Sequence, residues 1–301
     1  MPDQWIRKVG LLVSSGDSGL DLSQMRIRFK TQNAESGVPN TAWIRVYNLK
    51  EETANRFRKE FQDVSLQAGY EGGKFGVIFS GQIMQTKIGR EDNLDSYVDI
   101  MAADADLAHS FGFVSKSLAA KSSRSDVLNA ITGALQDKNV TVDKDATQSL
   151  TPTGGVLARG KVLWGLAAPM LTGLTETAGA SWSIQNGVLQ IVPTKGYKDG
   201  EAVKLNSATG MIGVPEATQD GVHVRTLLNP LIAIGGRIQI DNKSINQTSV
   251  IKPSGYPNFK TPPPMYASTT NDGYYRVLVC EHSGDIRGQE WYSDITCLTL
   301  D

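Results

Sequence analysis

Cysteine and histidine are scarce in this chain, and so is any imbalance of charge; each scarcity closes off a class of function. Among 301 residues there are two cysteines, Cys280 and Cys297, and three histidines, His109, His223 and His282. They are too widely separated to make a zinc pattern, so no metal is expected. Thirty basic residues stand against 31 acidic ones, a net charge of −1. Such a chain has no basic field to hold DNA by counterion release, and sequence-specific nucleic-acid binding is not expected. The longest apolar segment, Leu163 to Leu174, is broken by Gly165, Pro169, Thr172 and Gly173, which leaves nothing able to span a membrane. The opening MPDQWIRK carries charge where a secretory signal would be apolar, so synthesis in the cytoplasm is expected. Neither a glycine-rich phosphate loop nor a dinucleotide fingerprint is present, and no cofactor is expected.

What the chain does have is period-two alternation. Val222 and Val224, then Ile234, Ile238 and Ile240, then Val277, Val279, Trp291 and Ile295 read as strands with one buried face. The last of these blocks has a partial copy upstream. GQIMQTKIGREDNLDSYVDIMAAD (81–104) lies over YRVLVCEHSGDIRGQEWYSDITCL (275–298) with a one-residue gap, a polar loop in each and a return strand reading Tyr97-Val-Asp99-Ile100 or Tyr292-Ser-Asp294-Ile295. The lead-ins Leu66-Gln-Ala-Gly69-Tyr and Ile232-Ala-Ile-Gly235-Gly extend the match. The expected fold is therefore β-rich α+β, with two related small β-barrels flanking an inserted α+β domain.

The expected domains are an N-terminal barrel over 1–105, an α+β middle domain over 106–204 and a C-terminal barrel over 205–301. In the first, strands are expected at Trp5–Val13, Met25–Thr31, Thr41–Asn48, Val64–Tyr70, Lys74–Lys87 and Leu94–Ala102, with a short helix at Leu49–Phe57. In the second, Ser123 or Ser125 caps a helix carrying Val127, Leu128, Ile131, Ala134 and Leu135 on one face. A second helix is expected from Lys161 to Thr177, kinked at Pro169 and closed by Gly179. Asn186-Gly187 then marks a hairpin. In the third, a long loop at 242–272 holds five prolines and few apolar residues. Its side chains Tyr256, Phe259, Met265 and Tyr266 suit contact with a neighbouring subunit. A final hairpin centred near Ile286 and Arg287 puts Cys280 opposite Ser293 and Cys297 opposite Arg276, leaving two buried free thiols.

One stretch of possible chemistry stands out. Gly16-Asp17-Ser18-Gly19 resembles the nucleophile block of Gly-Asp-Ser esterases, and Asp220-Gly-Val-His223 supplies an Asp-x-x-His late in the chain. Catalysis would require Ser18 beside His223, with Asp220 orienting the ring. Against this, such esterases are built on a parallel sheet fed by helices, whereas the first 100 residues read as strands joined by turns. The alternative is a hairpin turn at 14–19. His282, Asp285 and Glu290 read as solvated charges on a hairpin loop, and no catalytic residue is assigned.

The order of an apolar helix, Trp182-Ser-Ile-Gln-Asn-Gly187-Val-Leu-Gln-Ile191, Gly210-Met-Ile-Gly213-Val-Pro215, Leu227-Leu-Asn-Pro230, His282-Ser-Gly-Asp285 and Trp291-Tyr-Ser-Asp294 resembles the baseplate hub proteins of long-tailed phages. The resemblance implies a virion structural protein. It implies a homotrimer whose paired barrels join a sixfold tail tube to a threefold spike around a DNA channel, with tube, spike and other baseplate proteins as partners.

Overall fold

The computed structural model describes residues 4–16, 18–57, 60–146, 150, 155–218, 221–241, 246–247 and 273–299. Alternation lays out the first half as β1 (Arg7–Ser15), β2 (Ser18–Asp21), β3 (Ile27–Ala34), β4 (Thr41–Tyr47), β5 (Asp63–Tyr70), β6 (Phe75–Arg90) and β7 (Ser96–Ala103), with helix α1 (Glu51–Arg56) between β4 and β5. Val9, Leu11 and Val13 of β1 face inward with Ala42, Ile44 and Val46 of β4, Val64 and Leu66 of β5, and Val98 and Ile100 of β7, around one core. Each Val, Leu or Ile among them, once fully buried, contributes about 1.5–3 kcal/mol.

The middle section comprises α2 (Asp106–Phe111), β8 (Phe113–Leu118), α3 (Arg124–Gln136), β9 (Thr141–Val142), β10 (Lys161–Leu166), α4 (Ala167–Ala178), β11 (Ala180–Gln185) and β12 (Val188–Pro193) around a second core. Ser123 caps α3 reciprocally with Asp126, and Val127, Leu128, Ile131 and Leu135 form its buried stripe. Asn186 and Gly187 both take positive φ, 54° and 77°, as the two-residue turn joining β11 to β12 requires.

The last section holds β13 (Val203–Leu205), β14 (Met211–Thr218), β15 (Gly221–Leu227), β16 (Arg237–Ile240), β17 (Asn246–Gln247), β18 (Tyr274–Asp285) and β19 (Trp291–Leu298), with a third core. Strands of the first and last sections share one 14-stranded sheet, in the order β17-β14-β15-β19-β18-β3-β4-β7-β6-β5-β1-β2, with β16 on β18 and β13 on β16. The fold is β-rich α+β. Among the described residues, hydrogen bonding does not close either half into a barrel.

The hairpin repeat holds at the level of register. In β6·β7, Gln82 faces Ala103 and Ile83 faces Ala102, Met84 bulges, and pairing resumes with Gln85 opposite Met101 and Thr86 opposite Ile100. In β18·β19, Arg276 faces Leu298 and Val277 faces Cys297, Leu278 bulges, and pairing resumes with Val279 opposite Thr296 and Cys280 opposite Ile295. The bulge falls at the same aligned place. The repeat extends to the next strand, because Arg45 on β4 faces Asp99 as Arg225 on β15 faces Asp294. Both pairs are forked, with Nε to Oδ1 at 2.7 and 2.6 Å. Thus β3-β4-β7-β6-β5 and β14-β15-β19-β18-β16 are the same motif twice.

Three expectations need correction. The lead-in match fails: Gly69 lies inside β5, whereas Gly235 lies in the turn before β16, and it is β16 that occupies the place of β5. Residues 161–166 form strand β10, paired to β8, rather than the first turns of a helix. Their apolar pattern alternates, with Leu163 buried and Val162 and Trp164 exposed, and Gly165 takes φ 134° just before the helix begins. Pro169 therefore sits in the first turn of α4, where a missing N–H costs nothing, and produces no kink. The final hairpin is slipped from the expected register, so Cys280 faces Ile295 and Cys297 faces Val277; both thiols are free and buried.

Candidate assembly interface

The two like halves meet along a seam, and the seam is built from β3 and β18. Val279 to Asp285 pair antiparallel with Ala34 to Arg28. Because side chains two residues apart share a face, the basic residues flanking and within β3 line up against the acids of the last hairpin. Arg26 reaches Asp285 at 2.9 Å, Arg28 reaches Glu290 at 3.3 Å and Lys30 reaches Glu281 at 3.1 Å. At one end Arg7 donates to the carbonyls of Asp285, Gly288 and Gln289 at 3.1, 2.6 and 3.0 Å. Trp291 crosses the seam into the first core and meets Phe29 edge-on, the rings 5.5 Å apart at 73°. Gly284 makes room for this pair, since a Cβ there would stand 2.5 Å from the Phe29 ring and 2.8 Å from that of Trp291.

At the other end of the seam all three sections are joined through one cation. Arg276 of β18 donates through Nε to Glu35 at 2.7 Å and through Nη2 to Glu35 and to Ser181 of β11, the latter at 2.9 Å. Its Nη1 donates to the carbonyls of Pro193 and Gly196 at 2.5 and 3.1 Å. Both ionic side chains are 3 % exposed. Asp104 makes a second tie: its carboxylate accepts from the backbone N–H groups of Asn186 and Gly187 at 2.5 and 2.9 Å. Burial pushes that carboxyl up to about 7, against the lowering pull of those donors. Asn40, also buried, donates to Ile184 and Gln185.

Ser18 and His223 are not brought together. The Ser18 hydroxyl donates to the Ser15 carbonyl at 3.0 Å in the tight turn between β1 and β2. His223 lies on β15 with Nδ1 3.0 Å from Thr296 Oγ1. Asp220 falls outside the described residues, as do Tyr256, Phe259, Met265 and Tyr266. Strands of the first half pair antiparallel throughout, not as the parallel sheet that class of esterase uses.

Glu290 is a solvated charge on the hairpin loop as expected, whereas His282 and Asp285 are not. β18 runs on to Asp285, so the seam covers His282, which is 2 % exposed. Its Nδ1 meets Ser293 Oγ at 2.8 Å, its Nε2 meets Cys280 Sγ at 3.5 Å, and burial pushes the imidazole down to about 4. Asp285 and Glu290 are the seam's ion-pair partners. Sequence reasoning missed the seam, although the basic spacing at 26, 28 and 30 was a usable signal. It also missed an exposed apolar face on β8·β10, where Phe113 and Trp164 meet edge-on at 5.1 Å with Val162 beside them; contiguous apolar patches of this kind mark contact surfaces. Among the described residues no cluster of three or more His, Cys, Asp or Glu could hold a metal, and no helix is long and apolar enough to cross a membrane.

Residues 6–257 match the family described as baseplate hub gp41. No curated protein matches the chain in sequence. Among solved structures, the 43 kDa tail protein of prophage MuSo2 from Shewanella oneidensis is similar at TM-score 0.58 and 8 % identity, over 97 % of this chain and 98 % of that one. The tail protein from Neisseria meningitidis MC58 is similar at 0.57 and 9 %, over 97 % and 96 %. The E. coli c3393 protein, a component of the type VI secretion system with structural similarity to the T4 bacteriophage tail proteins gp27 and gp5, is similar at 0.54 and 9 %, over 96 % and 76 %. At such identities these likenesses establish the fold.

Proposed function

We propose a ring assembly from one premise: the chain belongs to the baseplate hub gp41 family. It is a structural protein of the phage tail, a component of the virion's baseplate hub. On this reading three copies close head to tail, each contributing two like barrels, so that six similar units surround the axis. Such a ring meets a sixfold tail tube on one side and a threefold spike on the other, and its lumen passes DNA. Its work is a symmetry match rather than catalysis. The near-neutral net charge suits a conduit that must not hold passing DNA.

The observation that carries the proposal is the repeated five-strand motif with one register and one bulge position, its halves already joined edge to edge within the chain. The three cores support a division into an N-terminal barrel over 1–105, a middle domain over 106–204 and a C-terminal barrel over 205–301. The β8·β10 face is offered to another tail protein. The loop side chains Tyr256, Phe259, Met265 and Tyr266 are assigned to contact with a neighbouring subunit, and assembly occurs in the host cytoplasm. Obligate interfaces of this kind typically bury about 2,000 Å² or more. Mass photometry and sedimentation of the purified chain test the ring: a trimer is expected, and a strict monomer at high micromolar concentration refutes it. Deleting Val250–Ser268 is expected to weaken assembly or spike binding; unchanged behaviour ends the loop assignment.

A further inference from the structure

The repeat gives every strand of one motif a counterpart in the other, and one edge lacks the contact its counterpart makes. β18 uses its outer edge twice, pairing with β16 over Tyr274–Arg276 and with β3 over Val279–Asp285. β6 uses the same edge for β5 over Phe75–Gln82, and beyond that, from Gln85 to Arg90, no strand lies on it among the described residues. The counterpart of β3 is β14: Lys30 faces Trp43 on β4 as Glu216 faces His223 on β15, and Trp43 and His223 face the equivalent Met101 and Thr296. Among the described residues the outer edge of β14 carries only the two-residue β17, in parallel.

We infer that β14 of one copy pairs antiparallel with Gln85–Arg90 of the next copy, displacing β17 and repeating across the subunit boundary the seam that β3 and β18 form within the chain. This rests on the ring reading and specifies its contact. Transferring the register of the internal seam sets Lys87 opposite Thr218, Ile88 opposite Ala217 and Gly89 opposite Glu216.

Charge argues for this occupant. In the internal seam Lys30 of β3 meets Glu281 of β18. In the copy-to-copy seam Glu216 stands where Lys30 stood and Lys87 where Glu281 stood. The sign is reversed on both sides, so the pair remains complementary. Lys87 and Glu216 are exposed, and neither has an ion-pair partner among the described residues. The two wrong joins put like charges together: β3 against β6 sets Lys30 on Lys87, and β14 against β18 sets Glu216 on Glu281. A second copy therefore fits this edge in one orientation, halves alternating around the ring. Arg28 has no charged counterpart, its place being taken by Ile212, which is 38 % exposed.

Disulfide trapping tests the register. Directly opposed antiparallel residues lie about 4.5–5.5 Å apart at Cα, within the ~4.4–6.8 Å a disulfide spans. Chains carrying Lys87→Cys and Thr218→Cys are purified separately, mixed and oxidised, with the parent chain, whose two thiols are buried, as background. A covalent dimer is expected in the mixture alone, and in the doubly substituted chain a ladder ending at three copies. A second arm keeps the cysteines out: Lys87→Glu and Glu216→Lys each weaken association roughly threefold to tenfold per seam, and the two changes combined in one chain restore it. An oligomer that forms but yields no mixed dimer, or that gives the same dimer from either variant alone, overturns this inference and leaves the ring standing. Oligomers indifferent to both charge reversals do the same. A chain monomeric at every concentration overturns both.

Discussion

Replacing Glu35 by Gln should uncouple the three sections of the chain. The Arg276 guanidinium is 3 % exposed on its side chain and directs all five of its N–H groups at protein oxygens, two of them in a fork on Glu35. Glu35→Gln leaves the cation buried with its counter-charge gone, and an amide offers one oxygen where the fork needs two. Breaking a buried pair from one side costs about 3–5 kcal/mol. With a urea m-value of ~3 kcal/mol/M, the midpoint should fall by about 1–1.7 M. The expected form of the transition matters as much as its position. Because the same guanidinium holds Ser181 and the Pro193 carbonyl, the melting of the middle core should separate from that of the sheet. Intrinsic fluorescence would show this, since Trp182 belongs to the middle core and Trp291 to the first. The double change Glu35→Leu with Arg276→Met removes both charges together and should recover most of the loss. A Glu35→Gln chain that loses less than about 1 kcal/mol and unfolds in one step would refute the reading of this pair as a desolvated three-way tie.

Stability should respond to pH through two buried groups of opposite sign. Asp104, raised to about 7 in the fold from an ordinary value of 3.8, contributes stability that is complete below pH 3.8 and lost as pH rises through about 7. His282, depressed to about 4 from 6.5, contributes stability present above pH 6.5 and lost as pH falls through about 4. Between about pH 4 and 6.5 the two slopes oppose each other, so relative to the parent the plot of urea midpoint against pH should tilt upward in Asp104→Asn and downward in His282→Asn; unchanged profiles would place both groups in water. Trp291→Ala should cost about 3–5 kcal/mol and disrupt the first core although the residue belongs to the last strand, as hydrogen exchange in β1 and β4 would report. Ser18→Ala should leave the rate of ester hydrolysis at the parent's background, and any turnover lost with that hydroxyl would revive the esterase.

Local pattern carried most of the elements and little of how they join. Strands with one buried face announce themselves by alternation, and the turn at Asn186-Gly187 and the cap at Ser123 rest on chemistry within a few residues. The hairpin repeat was legible because a bulge and an Arg-Asp fork constrain the residues on both sides. The seam was not, because β3 and β18 stand some 250 positions apart and their pairing leaves no local periodicity. The errors about His282 and Asp285 share that cause: a strand whose second half is covered by a distant partner looks, read locally, like a polar loop. Residues 161–166 failed for another reason. Six alternating residues that run into a helix of similar composition are separable only by the glycine at 165 and by which side chains find a core.

A doubled motif also gives a reason why the inferred outer seam would need a polarity opposite to that of the internal one. If both halves had kept the charges of a common ancestor, each β3-type edge would fit each β18-type edge equally well, and a chain could close on itself, pair half to like half, or grow without end. Heterologous edges build rings or filaments according to rotation alone, and rotation does not choose partners. Reversing one ionic pair in one of the two seams removes the degeneracy: the internal join keeps Lys30 with Glu281, the outer join takes Glu216 with Lys87, and every crossed join is repulsive. The internal seam carries two further ion pairs, the Arg7 contacts and Trp291, whereas the inferred outer seam would hold a single ion pair. A chain built this way closes its internal seam during folding and leaves the weaker edge for the next copy, so that the order of assembly follows from the difference in strength between the two seams.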